Sequence, residues 1–277
     1  MERTRGFLDA VRLHDRWLAE VRDRVRVRDA LSSVQIEGNS LTMESAFALS
    51  RDRPERTLSE SEQEFLNYLD AFETIDDLRG QRDYRLRAMD LRALHHVLVN
   101  GVRGGERHAG EFRREPVAVG DVASDGTELI HHQPPPWHDI DPEVSALLEW
   151  VDRAKHKATK AELGRGEPDP WTHPVLVAGI LQHRLVWIHP FVDGNGRSAR
   201  MFTTKLLYQR GYDFKYLFDL STYYNRDRDK YYAALRTADQ EGDYTGWLEY
   251  FVGGFSWQMM GIKANATKAF AALDSAD

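Results

Sequence analysis

The stretch His189–Arg200, reading His-Pro-Phe-Val-Asp-Gly-Asn-Gly-Arg-Ser-Ala-Arg, gathers a base, a carboxylate, two glycines and two arginines. His189 titrates near neutrality and can take a proton from a hydroxyl. Asp193 offers hard oxygen atoms, and one carboxylate together with substrate phosphates is the usual way of holding Mg²⁺. Gly194 and Gly196 permit positive φ and keep side chains from between the backbone and an anion. Arg197 and Arg200 carry fork-shaped donors that match phosphate oxygens. Together these parts describe phosphoryl or nucleotidyl transfer. Asp193 has no acidic mate in the stretch, so nothing here suggests a paired-carboxylate hydrolase.

Such a site has to be positioned by the elements on either side. Val177, Ile180, Leu181, Leu185 and Ile188 fall on one helical face before it, and Ala199, Phe202 and Leu206 on another after it, up to Gly211 as an expected C-cap. The reading is helix, tight loop, helix. The loop then feeds a helix N-terminus, whose unpaired N–H groups and positive dipole end favour an anion.

The remaining chain reads as mostly helical. Residues 7–28 are predicted helical through Val11, Leu18, Val21 and Val25, with Arg22–Arg28 as a solvated face. In Asp29–Thr42, Ser33 and Glu37 lie four apart on one helix face, and Gly38-Asn39 stops the helix. Glu37 thus falls in a last turn, where its charge opposes the dipole at a cost of about 0.3–1 kcal/mol. A partner elsewhere would offset that. Further helices are expected over Thr42–Ser50, Leu58–Leu78 (stopping by Gly80), Tyr84–Asn100 and around Val144–Val151. Lys155–Pro170 reads as an exposed polar loop. Ser221–Ala238 reads as one helix carrying Tyr223, Tyr224, Tyr231 and Tyr232, and Tyr244–Met260 as the last, before an alanine-rich tail. Val117–Val119 and Leu129–His132, separated by the turn signal Ser124-Asp125-Gly126, predict a small β-hairpin. His95 and His96 show no metal-ligand spacing and read as structural.

The composition narrows the class. The chain has 277 residues, 42% hydrophobic and 29% charged, enough for a sizeable core. It lacks the apolar run of about 18 residues that a membrane span requires, and Met-Glu-Arg-Thr-Arg is not the start of a signal peptide. The absence of cysteine excludes disulfides and thiolate zinc sites and fits a cytoplasmic location. A formal net charge of −7 argues against nucleic-acid binding by this chain alone.

The central stretch resembles the Fic-family signature HPFxDGNGRxxR, matched at His189, Pro190, Phe191, Asp193, Gly194, Asn195, Gly196, Arg197 and Arg200. The resemblance implies an all-α Fic core with a small β-hairpin flap, and transfer of AMP from ATP to a Ser, Thr or Tyr hydroxyl of a target protein. It implies His189 as base, Asp193 as holder of Mg²⁺ or Mn²⁺, and Gly194–Arg200, with Ser198 and Ala199 among them, around the phosphates. Ser33–Gly38 resembles the family's inhibitory motif [ST]xxxE[GN], in the class whose inhibitory helix precedes the core; Glu37 would pair with Arg200 and obstruct the γ-phosphate. Gly110–Arg113 resembles the family's GxFR before the flap, whose edge holds the target by strand addition. His131 and His132 would then lie on the target side. Tyr231-Tyr232-x-x-Leu235 resembles the adenine-side wall, though each tyrosine taken singly reads as readily as a packing residue. The expected organisation is a helical region over 1–80, a Fic core over 81–262 and a tail over 263–277, with a homodimer as a further expectation. Three alternatives stay open: removal of AMP with Glu37 positioning water, transfer of another group such as phosphate or phosphocholine, and a non-enzymatic ATP sensor or interaction module.

Overall fold

Two buried helices carry the loop between them. In the computed structural model of the chain, the described residues are 2–10, 15–76, 81, 83–103, 108–122 and 128–274. The turn expected at Ser124-Asp125-Gly126, the stop at Gly80 and the position of Val11 lie outside them. In chain order the helices are α1 Glu2–Ala10, α2 Asp15–Ile36, α3 Met43–Arg51, α4 Glu60–Asp76 and α5 Ala88–Leu98. The strands β1 Val119–Val122 and β2 Glu128–His132 follow. Then come α6 Ile140–Glu162, α7 Pro174–Ile188, α8 Asn195–Gln209, α9 Leu220–Asn225, α10 Arg228–Glu241 and α11 Thr245–Asp274. The fold is all-α with one antiparallel hairpin, as expected. No helix among the described residues is long and apolar enough to cross a membrane.

α7 is apolar on nearly every side and buries Val175, Val177, Leu181, Leu185 and Ile188, as befits a helix enclosed by others. α8 packs along it and is buried from Arg197 to Gln209. α4, α5, α6 and α11 surround this pair.

α2 differs from its expected form. It does not stop near Arg28 but runs unbroken to Ile36, and residues 29–34 are all buried between α4, α8 and α9. Of the arginine face expected in water, Arg24 and Arg28 are exposed and Arg22 and Arg26 are half-buried, and three of the four are tied down. Arg26 Nη2 lies 2.5 Å from Asp76 Oδ2, Arg28 Nε 2.9 Å from Asp219 Oδ2, and Arg22 Nε donates to the Lys215 carbonyl at 2.9 Å. The helix ends in a Schellman turn: Asn39 N–H donates to the Val34 carbonyl and Gly38 N–H to that of Gln35, with Gly38 at φ +95°. Glu37 is the cap residue. A polar seam fixes this end of α2 to α9 and α10. Asn225 Nδ2 donates to Gln35 Oε1 at 2.8 Å, Arg228 Nη1 to the Gln35 carbonyl at 3.0 Å, and the Tyr232 hydroxyl to the Ile36 carbonyl at 3.3 Å.

Three other boundaries depart from the sequence reading. Lys155–Glu162, taken as loop, continues α6, because its lysines, alanines and glutamate are strong helix formers and Lys155 pairs with Asp152 at 3.4 Å. The helix expected over Ser221–Ala238 is two, since Asp227 caps α10 by accepting from Lys230 N–H at 3.0 Å. α11 continues past Met260 to Asp274 through an alanine-rich stretch that contains no proline and buries Ala266. The hairpin pairs Val119 with His132 and Gly120 with Ile130, with a bulge between Val119 and Gly120, so β1 starts two residues later than read.

Candidate active site

The loop between α7 and α8 is held open by its own side chains. His189 caps α7 in the left-handed region at φ 51°, ψ 59°, a conformation that costs a non-glycine residue about 1–3 kcal/mol unless its surroundings impose it. Here they do. Its N–H donates to the Leu185 carbonyl at 3.1 Å, and its carbonyl accepts from Arg113 Nε at 2.8 Å. Pro190 then prevents the helix from continuing.

The His189 ring has a defined tautomer. Nδ1 lies 3.2 Å from the Val186 carbonyl, which only accepts, so Nδ1 carries the proton and Nε2 keeps its lone pair. Burial lowers the ring pKa to about 4, against the Val186 bond, which raises it. His132 and Arg113 lower it further, while the Glu37 charge raises it. At neutral pH His189 is an uncharged base.

Asn195 closes the loop. Its side-chain amide donates to the Phe191 carbonyl and accepts from Phe191 N–H, both at 2.9 Å. The Asn195 side chain is thus a brace, and what it turns toward an anion is its backbone N–H. Gly194, at φ +74°, is the N-cap of α8 and provides no side-chain cap. The helix's first bond runs from Ser198 N–H to the Gly194 carbonyl at 2.9 Å, leaving the N–H groups before it without helical partners. Ser198, Ala199 and Arg200 are buried at the end of this first turn and the start of the next.

The anion position over that turn is taken by Glu37. A Cβ on Gly196 would sit 2.3 Å from Glu37 Oε1, so only glycine admits the carboxylate this close. Arg200 Nη2 donates to the same oxygen at 2.7 Å, while Arg200 Nε and Nη2 also reach the Ser33 hydroxyl and carbonyl at 2.8 and 2.9 Å. The expected offset to the unfavourable end of α2 is here: Glu37 lies at the C-terminus of α2 and also at the positive N-terminus of α8.

Asp193 stands at the mouth of the site with its side chain 30% exposed. One oxygen accepts from Gly194 N–H at 2.6 Å and lies 3.6 Å from Arg197 Nη2; the other lies 3.3 Å from Arg103 Nε. These longer ion pairs are easily exchanged, so the carboxylate fits a divalent cation completed by phosphate oxygens. Among the described residues there is no group of three or more histidines or acids suited to a metal.

The remaining sequence candidates are dispersed. Tyr231 is buried, stacked on Tyr224 at 4.5 Å. Tyr232 lies half-buried against the end of α2. His132 turns inward, its Nε2 2.7 Å from the Trp187 carbonyl, and anchors the flap to α7; His131, on the other face of β2, is exposed.

Three residues outside the candidate set shape the site. His95 stacks on Phe191 at 3.6 Å, accepts from Gly110 N–H through Nδ1 and donates from Nε2 to the Asp193 carbonyl at 3.0 Å. Arg113 spreads its donors over the carbonyls of His189, Glu115 and Pro135, tying the base to both ends of the flap. Glu64 Oε1 lies 2.9 Å from Arg197 Nη1. The Gly110–Arg113 pattern signalled Arg113, but nothing local to Glu64 announces it.

Known proteins share this arrangement. The Fic/DOC family model matches residues 85–207. Those residues resemble a Fic domain. Curated relatives named protein adenylyltransferase Fic, from Culex quinquefasciatus and Drosophila melanogaster, are each 27% identical over 249 and 245 residues, covering 88% of this chain and 43% of theirs. The chain thus spans less than half the length of the curated relatives it matches. A Fic domain-containing signaling protein from Bacteroides thetaiotaomicron shares the fold at a TM-score of 0.72 with 20% identity, covering 98% of this chain and 95% of the other. A Fic family protein from Desulfovibrio desulfuricans shares it at 0.68 with 24% identity, over 91% and 66%. The Fic domain match begins just ahead of α5 and ends within α8, so Glu37 and Glu64 both contact it from outside its span.

Proposed function

We propose that the chain is a protein adenylyltransferase that moves AMP from ATP to a Ser, Thr or Tyr hydroxyl of a target protein and is restrained at rest by Glu37. The observation that carries this reading is the Glu37 carboxylate seated between the α8 N-terminus and Arg200, in an anion site beside an uncharged histidine. The names of the curated relatives support the reaction class.

With Glu37 withdrawn, the free N–H groups of α8, Arg197 and Arg200 orient the triphosphate. A target hydroxyl held along the flap attacks the α-phosphorus in line with the leaving pyrophosphate. His189 Nε2 takes its proton as the new P–O bond forms and the bond to the pyrophosphate oxygen breaks. The α8 amides stabilise the charge that develops, a preorganised contribution that is often the largest. Asp193 would hold Mg²⁺ or Mn²⁺, which when bound neutralises phosphate charge. The exposed Leu129 and Ile130 on β2 give the target an apolar strand edge. Tyr232 lies at the adenine side.

The test uses ATP labelled on its α-phosphate with three proteins: the chain itself, Glu37→Gly, and Glu37→Gly with His189→Ala. Label on protein with Glu37→Gly alone is expected. Release of AMP from a pre-modified protein, with no forward labelling, would assign the reverse reaction instead.

A further inference from the structure

Arg197 is almost wholly buried, its Nε has no hydrogen-bond partner, and its close ion pair is with Glu64 of α4. The other oxygen of Glu64 accepts from Asn39 Nδ2 at 2.9 Å. Asn39 is the residue whose N–H closes the Schellman turn at the end of α2, and its side chain also donates to the Ser61 carbonyl and accepts from Leu41 N–H. One carboxylate thus touches the arginine that faces the nucleotide and the turn that carries Glu37.

We propose that Glu64 is a two-way positioning residue, holding Arg197 ready for phosphate with one oxygen and holding Glu37 over Arg200, through Asn39, with the other. This rests on the adenylyl-transfer reading above. Each oxygen has a donor opposite it. A glutamine at this position has one acceptor, one donor and no charge, so it removes one of the two bonds and weakens the other to that of a neutral acceptor, while filling the same space. Once the Glu64 charge is gone, the one charged partner left to Arg197 among the described residues is Asp193 at 3.6 Å, and Arg197 turns toward it, away from the phosphate position.

Glu64→Gln therefore has opposite consequences in two backgrounds. In the resting chain it loosens the turn at Gly38-Asn39, frees Glu37 and raises AMP transfer. In Glu37→Gly, where no inhibition remains, it removes the support of Arg197 and lowers kcat/KM for ATP by about tenfold, the scale of one hydrogen bond to a charged group, mostly through KM. Asn39→Ala, which cuts only the inhibitory arm, raises transfer in the resting chain.

The experiment measures label transfer at several ATP concentrations for Glu64→Gln in both backgrounds and for Asn39→Ala. Amide exchange at Gly38 and Asn39 is followed in the same proteins. Opposite signs, with faster exchange in Glu64→Gln, are expected. A loss of equal size in both backgrounds, or unchanged exchange, would reduce Glu64 to a packing residue and overturn the proposal. If Glu37→Gly transfers no label, the adenylyl-transfer reading fails separately, and exchange together with ATP affinity by calorimetry decides. Faster exchange with about tenfold weaker ATP binding in Glu37→Gly supports the role of Glu64, and no change in either removes it.

Discussion

Replacing Glu37 with glycine acts on rate and stability in opposite directions, and the structure sets both sizes. The Glu37–Arg200 contact is a charge-assisted hydrogen bond of 2.7 Å on an arginine only 2% exposed, while Glu37 itself keeps 33% exposure. Such a bond contributes about 1.5–3 kcal/mol, and a carboxylate at a helix N-terminus about 0.3–1 kcal/mol more. Solvent at Glu37 screens part of this, leaving about 2–3 kcal/mol to overcome before a phosphate can occupy the same place. On the adenylyl-transfer reading, removing the carboxylate should therefore raise AMP transfer at subsaturating ATP by about 30- to 160-fold. The same contact is lost from the folded state, so Tm should fall by about 2–4 °C for each kcal/mol. Added ATP should restore it, because its phosphates refill the anion site. The assay pairs initial rates of label transfer with thermal scans with and without ATP. A rate within threefold of the unsubstituted chain, or a Tm that ATP raises equally in both proteins, would refute the reasoning.

Other outcomes follow from the same geometry. His189→Ala in the Glu37→Gly background should abolish transfer while calorimetry still detects ATP; retained transfer would remove His189 as base. The His189 ring, followed by NMR in the free chain, should titrate near 4 rather than near 6.5, because burial disfavours its charged form. His183, buried in α7 and likewise lowered to about 4 by burial, binds its proton more tightly unfolded than folded. The stability it supports is thus complete above pH 6.5 and lost as pH falls toward 4. His183→Gln should flatten the decline of Tm over that window, and an unchanged slope would contradict the assignment. Arg113→Lys should lower transfer at least about tenfold despite keeping the charge, because a lysine cannot reach three carbonyls in three directions; wild-type rates would show that the clamp on His189 is dispensable.

The reactive loop was legible because its parts are contiguous. Nine signature positions within twelve residues, with apolar helical faces on both sides, define helix, loop and helix without reference to the rest of the chain. Glu37 was legible for a different reason: a carboxylate at the wrong end of a helix asks for a partner, and α8 provides one. What stayed hidden depends on contacts distant in sequence. Glu64 reaches Arg197 across 133 residues with no local pattern to announce it, and Arg113, which the Gly110–Arg113 pattern did mark, reaches His189 across 76 residues that hid its role as a clamp. The helical boundaries at Glu162 and Asp227 were missed where local propensity and a capping aspartate outweighed the apolar pattern. The arginine face is solvated at Arg24 and Arg28, as expected, and the partners that half-bury Arg22 and Arg26 lie far along the chain, at Lys215 and Asp76.

On the proposed function, the seam of Asn225, Arg228 and Tyr232 along the last turn of α2 makes Glu37 a tethered competitor. Its carboxylate faces the anion site at an effective concentration set by how firmly α2 is held, not by the amount of protein. Restraint of this kind is a threshold in ATP concentration. Loosening the seam lowers that threshold and tightening it raises it, with every residue that touches phosphate unchanged. A binding partner gripping α9 or α10 could therefore adjust the enzyme's response to nucleotide supply without entering the site.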